Sequence, residues 1–256
     1  VPSYAPSLLR DLALGLLVGV FSGLFGVGGG IILVPILVIG MHVAQKRAQA
    51  TSLVMVAIAA PAGAVTYALG ESVAWAPAGL LILGGLVGTW LGTVAVTRTS
   101  DRWLQFAFAG LLLIAAVRML WASTTPNDMQ LPDFDFLVVT GYLVAGLSMG
   151  LLSAFMGVGG GVIIIPILIT FFGFTQQLAA GTSLLVMIPI ALIGALRLTK
   201  AGYTDWSQGL RIGFAAVLGV VAGASVALVL QGSILEIGFA FLLVFAGVQM
   251  VRKAIK

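Results

Sequence analysis

The chain has 256 residues, 61% of them hydrophobic and only 8% charged, with a mean hydropathy of +1.19. An ordinary globular domain is about 25% charged, so there is too little polar side chain here to cover a water-exposed body of this size, and a soluble fold is excluded. The formal charge of +4 comes from 12 basic residues scattered without a basic run, which fits a membrane-topology signal and not a nucleic-acid surface. The absence of Cys excludes disulfides, thiol nucleophiles and Cys-ligated metals, and the single His42 leaves no His cluster for zinc or iron.

A helix rises about 1.5 Å per residue and needs about 20 residues to cross a hydrocarbon core of roughly 30 Å, which limits the chain to about eight to ten spans. The start, Val1 to Pro6, has neither the basic residues nor the small-residue cleavage site of a signal peptide, so the first apolar segment is expected to stay. Apolar segments follow at 8–25, 27–40, 48–69, 76–97 and 103–121, and again at 136–156, 159–173, 179–199, 207–230 and 234–251. No alternating strand pattern competes with them. The polar stretch from Ser123 to Asp135 carries two Pro and three Asp and reads as a linker. The expected organisation is a first transmembrane repeat over 1–122, the linker over 123–135 and a second transmembrane repeat over 136–256.

The repeat is legible residue by residue. GVGGGIILVPIL at 26–37 matches GVGGGVIIIPIL at 157–168 at nine of twelve positions, and Gly157 follows Gly26 by 131 residues. The same spacing, without a gap, pairs Gly19 with Gly150, Ser22 with Ser153, Thr51-Ser52 with Thr182-Ser183, Trp75 with Trp206, Gly88 with Gly219 and Gly92 with Gly223. Such a register marks an internal duplication, a common way of assembling transporters.

Charge placement predicts the topology. If the segments flanking each GVGGG enter and leave by the same face, as a Gly-broken hairpin, and the other three segments of each half cross once, eleven of the twelve basic residues fall on one side. These are Arg10, Lys46, Arg47, Arg98, Arg102, Arg197, Lys200, Arg211, Arg252, Lys253 and Lys256, leaving Arg118 opposite. Glu71, Asp128, Asp133, Asp135 and Glu236 collect on the other face. The positive-inside rule makes the basic face cytoplasmic, with both termini inside. An odd number of crossings per half inverts the second half relative to the first. The predicted fold is therefore an all-α polytopic membrane protein of two inverted repeats, each a Gly-broken helical hairpin plus three transmembrane helices, in the cell inner (plasma) membrane.

Three consecutive glycines inside an apolar stretch leave backbone amides bare. A helix starting at Ile31 or Val162 would point unpaired N–H groups and its positive dipole end at the break, a setting that favours an anion. Pro35 and Pro166, one turn on, would release a further carbonyl or bend the short helix. The same glycines can instead let helices pack closely. Thr51 and Ser52, matched by Thr182 and Ser183, are expected to open the next helix, either capping it or donating to the oxygens of a small oxyanion. No Asp or Glu lies well inside a predicted span, so an acidic proton relay has no candidate. Arg118 and Arg197 sit near helix ends, His42 in a polar loop, and Trp75, Trp90, Trp103, Trp121 and Trp206 mostly flank the spans as interfacial anchors. GVGGG lacks the Lys-Ser/Thr ending and preceding strand of a phosphate-binding loop, and no nucleophile, acid–base pair or metal set is visible, so neither an enzyme nor a cofactor is expected.

The paired motifs GLFGVGGGIILVPIL and AFMGVGGGVIIIPIL, each followed by Thr-Ser, resemble the sulfite exporter TauE/SafE family, also called the toluene-sulfonate uptake permease family. The resemblance covers nearly the whole chain. It implies a membrane permease for small sulfur-containing anions such as sulfite, thiosulfate, sulfoacetate or organosulfonates, lodged in the lipid bilayer. It makes Gly26, Gly28, Gly29, Gly30, Thr51 and Ser52, with Gly157, Gly159, Gly160, Gly161, Thr182 and Ser183, the candidate substrate-binding set. The expected mechanism is alternating access around a central site between the two breaks, with any transported proton carried on a weak-acid substrate such as bisulfite. The alternative is a re-entrant-loop channel for small anions or neutral solutes.

Overall fold

The computed structural model describes residues 8–100 and 134–255 except Val158, together with Trp103, Phe106, Gly110, Leu113 and Val117, which are all helical. Among the described residues there is no strand. The helices are α1 (Leu8–Phe25), α2 (Gly30–Pro35), α3 (Gln45–Leu69), α4 (Trp75–Arg98), α5 (Phe136–Met156), α6 (Gly161–Phe172), α7 (Gln176–Lys200), α8 (Trp206–Val229) and α9 (Gly232–Ile255). Six of them, α1, α3, α4, α5, α7 and α8, are long and apolar enough to cross a membrane. Apart from those five residues the expected segment 103–121 lies outside the described residues, as do most of the linker, Arg118, Asp128 and Asp133.

Local chemistry explains the ends. Asp135 and Asp205 cap α5 and α8 by accepting from the N–H of Val138 (2.8 Å) and Gln208 (2.9 Å), and Thr175 caps α7 by accepting from Leu178 (3.2 Å). These caps correct one expectation. Thr51-Ser52 and Thr182-Ser183 do not open their helices, because α3 begins at Gln45 and α7 at Gln176, about two turns earlier. The first turns of both helices are polar, and a long helix tolerates such residues where it extends beyond the hydrocarbon layer. Pro35 has the expected disruptive effect. It ends α2, and the chain continues through Ile36–Gly40 as a wider π-helical turn, since a proline supplies no N–H and crowds the carbonyl four residues back.

The two halves interlock. A Cβ at Gly15, Gly19 or Gly23 of α1 would collide with Ile212, Ala216 or Val220 of α8, so these helices run parallel with backbones in contact. Gly84, Gly88 and Gly92 of α4 press in the same way on Leu143, Leu147 and Leu151 of α5. Small residues allow this approach where lipid offers no hydrophobic drive for helix association. The contacts are reciprocal at the 131-residue spacing: Gly88 meets Leu147 as Gly219 meets Leu16, and Gly92 meets Leu151 as Gly223 meets Val20. At the centre Gly63 of α3 faces Leu184 of α7 while Gly194 of α7 faces Leu53 of α3, so these two counterpart helices run antiparallel. Gly209 and Gly213 face Val54 and Ile58, which sets α8 parallel to α3. Helices α1, α3 and α8 thus share one direction, and α4, α5 and α7 the other.

That arrangement gathers basic residues at one end. Arg211, at the start of α8, donates from Nε to Oδ2 of Asp11 at 2.9 Å, and the Lys46 ammonium lies 5.6 Å from the Tyr203 ring centroid beyond the end of α7. Asp11 was not foreseen: it is fully buried within α1, held by Arg10 at 3.4 Å and Arg211. On the outside of the bundle, an apolar cavity of about 500 Å³ lies between α1, α2 with its π turn, and α9, lined by Leu17, Phe21, Ile32, Ile36 and Phe245 among others. Its lining shows α2 folded back along α1.

Candidate functional site

Each GVGGG is a real break. After α1 the chain adopts left-handed φ values at Gly26 (+72°), Gly28 (+74°) and Gly29 (+73°), and after α5 at Gly157 (+69°), Gly159 (+83°) and Gly160 (+90°). Only glycine takes this conformation without strain. Gly29 and Gly160 then cap the short helices: Ile32 and Leu33 donate to the Gly29 carbonyl (3.1 and 3.0 Å), and Ile163 and Ile164 to that of Gly160 (both 3.2 Å). Helices therefore start at Gly30 and Gly161, one residue before the expected positions, and their first N–H groups lack intrahelical partners.

The breaks are buried against the opposite half. A Cβ at Gly26 would run into Cα and Cβ of Ala180 near the start of α7, and one at Gly157 would meet Gln49 near the start of α3 in the same way, 2.7 Å from its carbonyl oxygen. The breaks also touch each other, since a Cβ at Gly161 would stand 2.7 Å from Val27 Cα and 2.9 Å from the Gly26 carbonyl oxygen. Both readings of the glycines thus hold at once. They pack backbone on backbone, and they leave an irregular segment sealed inside protein, where such backbone is tolerated at membrane depth.

Helical periodicity sorts the neighbouring polar side chains. Gln45, Gln49, Ser52 and Val56 recur at i, i+4, i+7 and i+11 along one face of α3, and that face meets Gly157 through Gln49 and Gly159 through Val56. On α7 the corresponding face carries Gln176, Ala180, Ser183 and Met187, with Ala180 against Gly26 and Met187 against Gly159 and Gly161. Ser52 and Ser183 therefore lie on faces that border the breaks. Thr51 and Thr182 do not. The Thr182 hydroxyl accepts from the N–H of Ala74 at 2.9 Å, tying α7 to the start of α4, and the Thr51 backbone lies under Gly209 of α8. Buried Val27, Val56 and Met187 pack about Gly159 and Gly161.

Among the described residues the site has no counter-charge. Asp11 is the one charged side chain among the described buried residues, and it belongs to the basic end of the bundle. No group of three or more His, Cys, Asp or Glu is placed to hold a metal ion among the described residues. Several hydroxyls and carboxamides around the breaks, Ser22, Ser153, Gln45 and Gln176 besides Ser52 and Ser183, are buried and have polar atoms without a hydrogen-bond partner among the described residues. Sequence reasoning paired Ser22 with Ser153 but assigned neither to the site, and it passed over both glutamines. Their signal was present at the same 131-residue spacing.

A family model described as sulfite exporter TauE/SafE matches residues 1–119 and 142–256. A probable membrane transporter protein of Xylella fastidiosa (strain 9a5c) is 31% identical over 203 residues, covering 78% of this chain and 77% of that protein. The probable membrane transporter protein YunE of Bacillus subtilis (strain 168) is 23% identical over 266 residues, covering 95% and 97%. The probable membrane transporter protein MJ0441 of Methanocaldococcus jannaschii is 27% identical over 190 residues, covering 72% and 69%. Both glycine breaks and helices α3 and α7, which pack on them, fall within the matched ranges, and the chain belongs to the sulfite exporter TauE/SafE family of membrane transporters.

Proposed function

We propose that the protein is an inner-membrane permease that moves small sulfur-containing anions, such as sulfite, thiosulfate, sulfoacetate or an organosulfonate, by alternating access around the two glycine breaks. The observation that carries this reading is the burial of two left-handed, Gly-rich breaks against each other and against the antiparallel pair α3 and α7. First-turn amides of α2 and α6, with Ser52 and Ser183, supply neutral donors there. Neutral donors suit transport: an arginine in the same place would hold the anion tightly and slow its release, and no donors at all would leave the anion desolvated. Thr182 acts beside the site by tying α7 to the start of α4, Thr51 packs beside it under Gly209, and the glycines at 26, 28, 29, 30, 157, 159, 160 and 161 shape it.

The two halves act as inverted repeats about a pseudo-two-fold axis in the membrane plane, a reading supported by the antiparallel pairing of α3 with α7 and by the reciprocal contacts at 131-residue spacing. The basic ends of α1, α3 and α8 face the cytoplasm, which puts both termini there. A carrier is favoured over a channel because both breaks are buried in protein, with apolar Val27, Val56 and Met187 packed about Gly159 and Gly161.

Flux of radiolabelled sulfite, thiosulfate and sulfoacetate into proteoliposomes tests the proposal. Saturable uptake, accelerated by unlabelled substrate on the far side, is expected. Unsaturated flux without exchange would replace the carrier by a channel, and preferential flux of carboxylates or cations would overturn the substrate class.

A further inference from the structure

Six side chains around the breaks combine near-complete burial with polar atoms that have no partner among the described residues: Ser22 (1% exposed), Gln45 (1%), Ser52, Ser153, Gln176 and Ser183 (all 0%). They form three pairs at the 131-residue spacing of the repeat. Each break is bordered by one member of each pair. Ser22 lies one turn before Gly26, whose N–H donates to the Ser22 carbonyl at 2.8 Å, and the α7 face that Gly26 abuts carries Gln176 and Ser183. Ser153 precedes Gly157 in the same way, with its Cβ 3.3 Å from where a Gly160 Cβ would stand, and the α3 face that Gly157 abuts carries Gln45 and Ser52. Since α3 and α7 begin at opposite ends of the bundle, one cluster lies toward each face of the membrane.

A buried hydroxyl or carboxamide left unpaired costs about 1–3 kcal/mol, and native structures rarely carry such groups without a ligand or water to satisfy them. Six of them recur in symmetric pairs beside two backbone breaks, the setting in which local rules are broken for function. The donor and acceptor inventory narrows the occupant. In both glutamines the amide nitrogen and the carbonyl oxygen are unpartnered, so each cluster offers N–H and O–H donors together with an acceptor that needs a proton. A fully deprotonated oxyanion has only acceptors to present. Among the described residues no buried cation is available to offset charge, and the solvation lost on burial grows with the square of the charge, about fourfold for a dianion over a monoanion.

We infer that Ser22, Gln176 and Ser183 at one break, and Ser153, Gln45 and Ser52 at the other, form two half-sites in series for a singly charged oxyanion that carries its own proton, and that Gln45 and Gln176 select it by accepting that proton in a hydrogen bond. The inference rests on the transport of sulfur oxyanions proposed above and names the ionic form transported. Hydrogen sulfite meets the requirement; methanesulfonate has the charge without the O–H, and sulfate has neither the single charge nor the proton.

Thermal-shift titrations of the purified full chain with hydrogen sulfite, methanesulfonate and sulfate test this. Hydrogen sulfite should bind at least tenfold more tightly than methanesulfonate, with sulfate weakest, and sulfite binding should weaken as pH rises through the second ionisation of sulfite. The pair Gln45→Met with Gln176→Met should lose at least tenfold in hydrogen sulfite affinity, and its preference for hydrogen sulfite over methanesulfonate should collapse, while its melting temperature without ligand stays equal to or above that of the parent. Should that variant fail to fold, Ser22→Ala with Ser153→Ala should weaken hydrogen sulfite several-fold. Sulfate binding as tightly as hydrogen sulfite, or either folded variant binding like the parent, would overturn the half-sites and leave the sulfur-anion permease standing. A parent chain that binds none of the three probes and transports no sulfur anion would overturn both.

Discussion

Gly26→Ala puts the contact between a break and the opposite half under direct load. The residue has φ +72°, and its new Cβ would overlap Cα and Cβ of Ala180 and stand 2.8 Å from the Ala180 carbonyl oxygen. Carbon contacts relax near 3.5–4.0 Å, so α7 must withdraw by about 1 Å. Left-handed backbone costs an L-residue roughly 1–2 kcal/mol, and overpacking adds about 1–3 kcal/mol. The total of about 2–5 kcal/mol corresponds to a fall in melting temperature of roughly 4–20 °C for a chain of this size. Two glycines separate the terms. Gly202 has φ +78° with nothing within 4 Å of a Cβ, so Gly202→Ala carries the strain alone. Gly79 is helical and equally open, so Gly79→Ala should be neutral or stabilising by up to about 1 kcal/mol. Intrinsic tryptophan fluorescence in detergent reads all three melts, and proteoliposome flux reads the site. Gly26→Ala melting no lower than Gly202→Ala, with parental flux, would refute the claim that the break and α7 are held in backbone contact.

Three further substitutions probe single interactions. Thr182→Val removes the acceptor of the buried Ala74 N–H and should cost about 1–3 kcal/mol of stability; a melting temperature unchanged beside a lost substrate affinity would move Thr182 from positioning into direct binding. Asp11→Asn leaves Arg211, which is 27% exposed, without its carboxylate but free to turn toward the headgroups, so a loss of about 2 kcal/mol is expected, seen as earlier thermal unfolding. Tyr67→Phe deletes the hydroxyl that donates to the Gly23 carbonyl at 2.8 Å, beside the end of α1, and should lower stability by about 1 kcal/mol with little change in flux saturation.

Much of this architecture is legible in residue order because lipid imposes strong rules. Apolar length marks the spans, and an ungapped 131-residue register marks the duplication. Partner choice is not legible in the same way. Gly15, Gly19 and Gly23 announce that something packs closely on α1, yet nothing local says that α8 is the partner, since a four-residue glycine rhythm suits any small-residue face. The helix starts were misjudged because Gln45 to Arg47 and Gln176 look like loop residues by polarity, while a helix can project beyond the hydrocarbon layer and keep its backbone bonds. Asp11 was overlooked because its pairing residue, Arg211, lies 200 positions away. The glutamines were overlooked because an amide at a helix start is ordinarily wet; only the packing of the opposite half makes it dry.

The glycine seams have different histories despite their common geometry. Gly84 meets Leu143 and Gly15 meets Ile212, so at about 5–20 residues per second of synthesis the first seam can close within roughly 3–12 s and the second only after roughly 10–40 s. Until then the ridge of α1 that will accept α8, with the carboxylate of Asp11 at its base, faces lipid or the insertion machinery. Helix α1, made well before α8, is thus late to find its place, and a nascent chain halted before α8 presents that ridge to whatever chaperone or protease inspects unfinished membrane proteins.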